Sequence, residues 1–558
     1  MENTQRSLKI YLSQNNFIVG DIDGNCQKIL QEYHKAVEQK NDLIIFSEMA
    51  ICGYPCEDLW LKPYFIEKCQ EKIKELLEHT KKQETAILLG CPYNEIERKK
   101  TILRNSAIFM HQGEIKKIFS KKSLPNYGVF DENRYFKPSS HLSLLEFKNY
   151  DIAVIICEDL WDERNLLLLN EQVFDAIISI NASPFNQDKH SFRLDLATKY
   201  SKSLSKPLIY VNQIGGQDSL VFDGSSFVFD SSGNKVLQMS NFTEDSAQII
   251  IDENNEIIVF EHQKKHLEFS ENFIEQAYNS CVLGLRDYIE KNNFSKVLLG
   301  MSGGIDSAIV ATIAVDALGS ERVSLFALPT KFNSQSSLHD AVEYSKNLNI
   351  ELKTIEIENI FQTFLNDLKK SADISAIAQE NLQSRIRGNI LMAISNSTNS
   401  LLLSTGNKSE MACGYATLYG DMNGAFNPIK DLYKTQIYQL AKFRNENNCK
   451  ISEFKKTNLI PQNIINKEPT AELRFNQKDS DSLPEYSILD KILIKLIEEQ
   501  KSIEETIDDG FDKELVKKVA KLIHNSEYKR KQAVLGVKIS KLAFDKERRY
   551  PLTNKFIF

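Results

Sequence analysis

Cys157, Glu48 and a lysine at 121 or 122 are residues of the first half whose types combine into a reaction. Cys157 ends the run DIAVIIC, Glu48 ends DLIIFSE just before the turn GYP, and Lys121 and Lys122 precede a Pro-Asn-Tyr-Gly turn. A thiol can attack a carbonyl, a carboxylate can take its proton, and an ammonium can hold the developing oxyanion. Each has a plain alternative when taken singly, as a small core cysteine or a solvated surface charge. Their joint appearance at strand ends is what points to nucleophilic catalysis. A second constellation lies in Lys296 to Ala311, KVLLGMSGGIDSAIVA. Val297 to Met301 reads as a buried strand, followed by a glycine turn and the start of a helix. Gly303 and Gly304 lack Cβ atoms where the chain turns, so unusual φ values and close approach of a ligand are open to them. Ser302, Asp306 and Ser307 surround a first helical turn, whose free N–H groups and dipole favour an anion. A helix cap is the plain alternative. The complete S-G-G-I-D-S after an apolar strand favours the anion site, and it matches neither GxxxxGK[ST] nor GxGxxG.

The elements that must hold these residues follow from the apolar runs. LKIYLSQ, DLIIFSE, TAILLGC, NSAIFMH, DIAVIICED, DAIISINAS, PLIYVNQ and SSFVFD read as strands. Helical spacing fills Asn25 to Lys40 and Tyr64 to Lys81, so the first half is a layered α/β domain. The charged stretch EHQKKHLEFS between Phe260 and Ser270 carries no strand pattern, and a boundary is placed there, giving domains 1–262 and 263–558. His262 and His266 within it are four apart without a third ligand, which reads as linker. Ser270 is the expected cap of a helix with apolar positions Phe273, Ala277, Cys281, Leu285 and Ile289. RVSLFALP, ELKTIEI and LLLSTG add strands, with helices at Ser337 to Asn347 and Ile374 to Asn396, a doubly wound pattern with ligands expected at strand carboxyl ends. Past those ends lie Thr405, Lys408 and Glu410, with Ser409 as the expected helix cap. Asn381, Arg385 and Arg387 share one helix. NKEPTAELRFNQKDSDSLP is long and polar, a candidate lid. The basic runs EYKRKQAV and FDKERRYP read as solvated faces or as cations for phosphates.

With 558 residues, two or three domains are expected. A net charge of −7 argues against a general nucleic-acid binder. No apolar run reaches membrane-spanning length, and MENTQRSLKIYLSQ lacks an apolar leader. Nine scattered cysteines without a CxxC pair then fit reduced thiols in the cytoplasm. Cys52 and Cys56 flank GYP without a second ligand pair, so structural zinc is not expected there.

Three segments, FSEMAICGYPCEDL, KKSLPNYGVFDE and ICEDLW, resemble the signatures of the nitrilase (carbon–nitrogen hydrolase) superfamily. That resemblance implies an α-β-β-α sandwich and a Glu–Lys–Cys triad at Glu48, Lys121 and Cys157, with Lys121 chosen by its distance from Leu124. Within the superfamily the segments are most similar to glutaminase domains. Tyr127, Ser183 and Lys189 then match glutamine-holding positions, and Glu132 a supporting glutamate. The loop SGGIDS resembles that of the ATP pyrophosphatases, which implies a doubly wound parallel α/β domain of the adenine nucleotide alpha hydrolase type.

The later segments, including IPQNIINKEPTAELRFNQKDSDSLPEY, resemble the NAD synthetase family in its glutamine-dependent two-domain form. The similarity runs over nearly the whole chain in the same order. It implies that Gly300, Met301, Ser302, Gly303, Gly304, Ile305, Asp306, Ser307 and Thr405 bind ATP. It further implies that Asn381, Glu410 and Lys529 contact deamido-NAD and that Asp306 and Glu410 ligate Mg2+. The implied reaction activates the nicotinate carboxylate as an acyl-adenylate, releasing pyrophosphate. Ammonia from glutamine, delivered through a tunnel, then displaces AMP to give NAD. ATP, L-glutamine and deamido-NAD are the expected small-molecule partners, in a homo-oligomer with neither nucleic acid nor membrane. Phe475 and Asn476 stand where the family has Pro-Gly after ELR, which puts the stiffness of that loop in question. Cys56 and Cys413 also depart from the family pattern, at positions outside the implied roles. A rival reading is another amidotransferase with the same ATP loop, against which the nitrilase-type half and ELR…DSDSLP both speak. A scaffold with decayed sites is opposed by the intact triad and loop.

Overall fold

The computed structural model describes residues 6–97, 99–260 and 272–557. They fall into two compact units, Met1–Gln217 with Val221–Ser270, and Asp218–Leu220 with Glu271–Phe558. The 262/263 boundary, His262, His266 and Ser270 lie outside the described residues.

The strands of the two large sheets in the first unit are β1 (Leu8–Gln14), β2 (Leu43–Ile45), β3 (Ala86–Glu97), β4 (Lys100–His111), β5 (Glu114–Ser120), β6 (Leu144–Phe147), β7 (Tyr150–Ile156), β8 (Ala176–Asn181), β9 (Leu208–Asn212), β10 (Phe227–Phe229), β11 (Lys235–Gln238), β12 (Asp245–Ile251) and β13 (Ile257–Val259). They form a seven-stranded sheet in the order β13-β12-β1-β2-β3-β4-β5 and a six-stranded one in the order β11-β10-β9-β8-β7-β6. Leu12, Ile45, Leu88, Ile152, Ile178 and Ile209 belong to the apolar layer between the two sheets. Each such side chain, once buried, contributes roughly 1.5–3 kcal/mol. The helices α1 (Ile22–Glu38) and α2 (Pro63–Thr80) pack on the first sheet, and α3 (Glu163–Asn170) and α4 (Lys189–Leu204) on the second. This is the α-β-β-α sandwich that the resemblance implies. The expected strands are all present. β5, EIKKIFS, was not among them, because an edge strand with Glu and Lys along it lacks an apolar run.

The second unit has a four-stranded parallel sheet of β14 (Lys296–Gly300), β15 (Val323–Ala327), β16 (Leu352–Thr354) and β17 (Ser400–Leu402), in the order β16-β15-β14-β17. The strand order reverses between β14 and β17, so the crevice past their carboxyl ends is the expected ligand position. The helices α5 (Phe273–Lys291), α6 (Ile305–Leu318) and α7 (Gln335–Asn347) precede and follow the first two strands, and α8 (Glu358–Lys369) and α9 (Ala376–Thr398) lead to β17. Phe361, Ile386 and Leu391 of α8 and α9 join Leu298, Phe326 and Leu402 of the sheet in one apolar cluster. Asn272 caps α5, its side chain accepting from the Ile274 N–H. Past β17 come α10 (Lys408–Cys413), α11 (Lys434–Glu446), α12 (Tyr486–Leu493) and α13 (Lys513–Asn525), the last two sharing an apolar cluster with Met411 and Ala412.

Candidate functional sites

In the first unit, β2, β5 and β7 each end at one of the three reactive residues. Glu48 and Met49 follow β2, and Met49 takes a left-handed φ of 54°. A Cβ on Gly90 of β3 would stand 2.3 Å from the Met49 nitrogen and 2.5 Å from the Glu48 Cα, so only glycine admits this turn. Cys157 starts a 3-10 turn, Cys157–Leu160, immediately after β7 and has φ 45°. Lys121 follows β5, its N–H donating to the Asn105 carbonyl at 2.8 Å.

The side chains converge in a closed space. Lys121 Nζ donates to Glu48 Oε1 at 2.8 Å and Glu132 Oε1 at 2.9 Å. Asn105 Nδ2 donates to the same Glu48 oxygen at 2.7 Å, and Tyr54 OH to Glu132 at 2.9 Å. The other Glu48 oxygen accepts from the Ala182 N–H at 2.9 Å, which pins the turn carrying Ser183. Lys121, Glu48 and Glu132 are buried. Burial alone would lower the Lys121 pKa, but the carboxylates of Glu132 and Glu48 more than offset it and hold the ammonium charged. Burial raises Glu132, and Lys121 opposes that rise. Burial pushes the Cys157 thiol well up, Glu48 adds to it, and Lys121 pulls the other way.

Tyr127 is half exposed, and its hydroxyl donates to the Glu158 carboxylate at 3.0 Å. Lys189 opens α4 with its ammonium 4.0 Å from the centre of the Trp161 ring. Ser183 is backed by the fully buried Arg193, which donates to the Ser183 and Pro184 carbonyls and to both Asp223 oxygens at 2.8 and 2.9 Å. Asn105, Glu158, Asp159 and the Arg193–Asp223 pair were not found from sequence. No local spacing links them to the triad, and Glu158 and Asp159 were visible only as neighbours of the cysteine.

In the second unit, a cavity of about 290 Å³ lies at the reversal of the sheet. Its walls include Gly300 to Ser302, Gly304 to Ser307, Thr405 and Glu410. Of the two glycines only Gly303 has positive φ, 78°, and a Cβ there would meet the Ser337 carbonyl oxygen at 2.5 Å. Gly304 is instead the extended N-cap of α6, with its N–H turned to Ser302 Oγ at 3.2 Å. Asn407 Nδ2 donates to Asp306 at 3.0 Å, and the ammonium of Lys434 bridges Asp306 and Glu410, the latter at 3.3 Å. Lys434 is a further residue missed by sequence reasoning, since KTQ after LY has no signal of its own.

Asp479 joins this wall from the 467–484 segment. Its Oδ2 accepts from Tyr486 OH at 3.0 Å, and the Tyr486 ring centre is 5.3 Å from the Lys434 ammonium. Its Oδ1 is sealed from solvent, and the Tyr415 hydroxyl lies against the same carboxylate. Burial raises the Glu410 carboxyl to about 8, with Lys434 opposing the shift. The segment closes against α7 through Glu472, whose carboxylate accepts from Asn333 Nδ2 and Lys467 Nζ, each at 3.0 Å, and from Ser337 Oγ at 2.5 Å. Asn476 takes φ 56°, a left-handed conformation that asparagine tolerates. Phe475 packs edge-on to Phe332 at 4.9 Å.

Some expectations are corrected. Lys408 does not face the cavity. Its fully buried ammonium lies 2.9 Å from Asp431 and Glu498, a structural network. Asn407 rather than Ser409 caps α10, and Ser409 Oγ donates to Asp490 at 2.5 Å. Arg387 lines the cavity and is not solvated; burial lowers it to about 10. In the basic runs, Arg530 and Arg548 are buried around Glu527 instead of meeting phosphates. Asn381 and Lys529 lie beside the cavity wall on a shared segment. Asn381 accepts from Thr417 Oγ1 at 2.9 Å, and Lys529 Nζ donates to the Gly414 and Ala416 carbonyls, each at 2.7 Å.

Comparison with known proteins covers both units. The Carbon-nitrogen hydrolase family model matches residues 10–267 and the NAD synthase model residues 277–533. A glutamine-dependent NAD(+) synthetase of Acinetobacter baylyi is 40% identical over 556 residues, covering 98% of this chain and 99% of that protein. The Aquifex aeolicus protein of that name is 40% identical over 588 residues, with 98% and 100% covered. Among solved structures, the glutamine-dependent NAD+ synthetase of Acinetobacter baumannii in complex with ADP superposes with a TM-score of 0.77 at 38% identity, covering 98% of this chain and 99% of that one.

Proposed function

The chain belongs to the glutamine-dependent NAD+ synthetase family, and from that membership we propose that it makes NAD by amidating deamido-NAD with nitrogen from glutamine. The observation that carries the reading is the pairing, in one chain, of a buried Cys–Glu–Lys site with a phosphate-type loop at a sheet reversal.

In the first unit, Glu48 takes the Cys157 proton as the sulfur attacks the side-chain amide of glutamine. Lys121 faces the oxyanion, ammonia leaves with the proton, and water then cleaves the γ-glutamyl thioester. Tyr127, Ser183 and Lys189 hold glutamine, and the Glu158 carboxylate at the Tyr127 hydroxyl suits its ammonium group. Glu132 and Asn105 keep Lys121 and Glu48 in place.

In the second unit, Gly300 to Ser307 and Thr405 bind ATP, the N-terminal turn of α6 favouring its phosphates. The relative solved with ADP supports an adenine nucleotide there. Asn381, Glu410 and Lys529 take deamido-NAD, whose carboxylate attacks the α-phosphate and whose acyl-adenylate then receives ammonia. The residues fit Mg2+, because the carboxylates of Asp306 and Glu410 share one ammonium and the charge of Asp479 acts on the same group. Asp306 and Glu410, with Asp479, would hold the ion, which supplies charge neutralisation at the phosphates. Lys434 supplies a second cation, and the 467–484 segment acts as a lid that keeps water from the mixed anhydride. A domain boundary at 262/263, a homo-oligomer and a cytoplasmic setting complete the proposal. No helix among the described residues is long and apolar enough to cross a membrane.

Product analysis with ATP, glutamine and deamido-NAD tests the reading. AMP, pyrophosphate and NAD are expected; ADP as product, or turnover of ATP without the dinucleotide, overturns it.

A further inference from the structure

We propose that Asp159 is the positioning residue that fixes the Lys121 ammonium relative to the Cys157 thiol. The inference rests on the triad reading above and adds the group that sets its geometry.

The Asp159 carboxylate lies between the two chain segments that carry the reacting side chains. Oδ2 accepts from the Ile156 N–H at 3.0 Å, one residue before the nucleophile. Oδ1 accepts from the N–H groups of Lys122 at 3.0 Å and Ser123 at 2.7 Å, the two residues after Lys121. One buried side chain thus grips β7 at its end and the strand exit of β5 together. A layer outside it supports the same join. Asn165 Nδ2 donates to the Asp159 carbonyl at 3.0 Å and to Ser123 Oγ at 3.1 Å, and Ser123 Oγ donates to Asp162 at 2.8 Å.

The chemistry of the position calls for an acid. Three N–H donors need an acceptor with no hydrogen of its own, which an ionised carboxylate is and an amide is not. An asparagine there would turn its NH2 toward Ile156 or toward Lys122 and Ser123, and release that side. The grip matters because Cys157 has φ 45°, a conformation that a side chain other than glycine keeps only where its surroundings enforce it. The hydrogen bonds of the Asp159 carboxylate come from backbone N–H groups, so its role is exerted through the backbone. The plain alternative is a cap of the 3-10 turn, which asks only for the Ile156 bond.

The test is Asp159→Asn in the full-length protein. The kcat for glutamine hydrolysis is expected to fall by about 10- to 100-fold, as misplacement by an ångström can do. The KM for glutamine should change by less than about threefold, and alkylation of Cys157 by a diazo-ketone analogue of glutamine should slow in step with kcat. NAD formation from ammonia should be unchanged, and the far-ultraviolet circular dichroism and urea unfolding of the variant report whether the first unit is folded. Glu163→Gln, an exposed carboxylate four residues on that pairs with Lys199, is the control and should keep kcat. If Asp159→Asn does not fold, Asp159→Glu keeps the charge and shifts its reach; a cap tolerates it, whereas positioning predicts the same fall in kcat. A lowered melting temperature with unaltered kcat and alkylation overturns the proposal, as does full kcat in Asp159→Glu. Cys157→Ala separates the two readings. If it leaves glutamine hydrolysis intact, the triad itself falls and Asp159 with it; if it abolishes hydrolysis while Asp159→Asn does not alter it, only the present inference falls.

Discussion

Lys121 Nζ and Glu48 Oε1 stand 2.8 Å apart with neither side chain exposed to solvent. A second carboxylate, Glu132, completes the ammonium's surroundings at 2.9 Å. Such a pair costs much to desolvate and is worth keeping only while both partners are present. Lys121→Met would leave two carboxylates buried without their cation. We expect it to destabilise the first unit by about 3–5 kcal/mol, well beyond its loss of catalysis. Urea unfolding of Lys121→Met beside Cys157→Ala checks this; equal stability of the two contradicts it.

Cys157→Ala should abolish the use of glutamine while ammonia still supports NAD formation. Initial rates with the two nitrogen donors, measured side by side, decide the matter. Equal loss with both would mean that the cysteine does not act in a separate nitrogen-releasing step.

The Cys157 thiol is held well above its ordinary value, first by burial and then by Glu48. It therefore stays protonated at neutral pH, and attack requires a base in the same step. The difference absorbance at 240 nm between wild type and Cys157→Ser should show no thiolate between about pH 6 and pH 9, since an ordinary thiol titrates near 8.5. A thiolate signal at pH 7 would show that the proton leaves the sulfur before attack and would contradict this.

Asp306→Asn should lose NAD formation and keep glutaminase activity. Its carboxylate meets both Asn407 and Lys434, so the variant removes charge without emptying the space. Glutamate release assayed apart from NAD formation is the measurement. Complete loss of both would show that the second site controls the first.

His190 carries a linkage of stated sign. Burial pushes its imidazole down to about 3. In the unfolded chain it titrates near 6.5, so between those values the unfolded state binds the extra proton. Stability is therefore full above about pH 6.5 and falls on acidification, by at most about 1.4 kcal/mol per pH unit. His190→Phe should gain on wild type by about 2 kcal/mol between pH 7.5 and pH 5 in urea titrations. A gap that does not change with pH refutes this.

The strands ending in Glu48 and Cys157, and the loop Gly300 to Ser307, were legible because apolar runs end abruptly in reactive residues. Partners that arrive from distant positions were not. Asn105 reaches Glu48 from β4, Asp479 reaches the cavity of the second unit from the polar 467–484 segment, and neither has a local pattern. Lys408 shows the converse. In TGNKSE it stands two residues from Glu410, and the sequence does not say that one turns into the cavity and the other into a buried network. Direction within a short helix is decided by tertiary partners, here Asp431 and Glu498.

The triad draws Glu48 and Lys121 from one sheet and Cys157 from the other, more than a hundred positions beyond Glu48. Neither sheet alone holds a competent site. A chain that has formed only its local hairpins has the nucleophile but no base, and contacts this remote in sequence close late. Cys157 thus meets Glu48 and Lys121 only when the two sheets have come together.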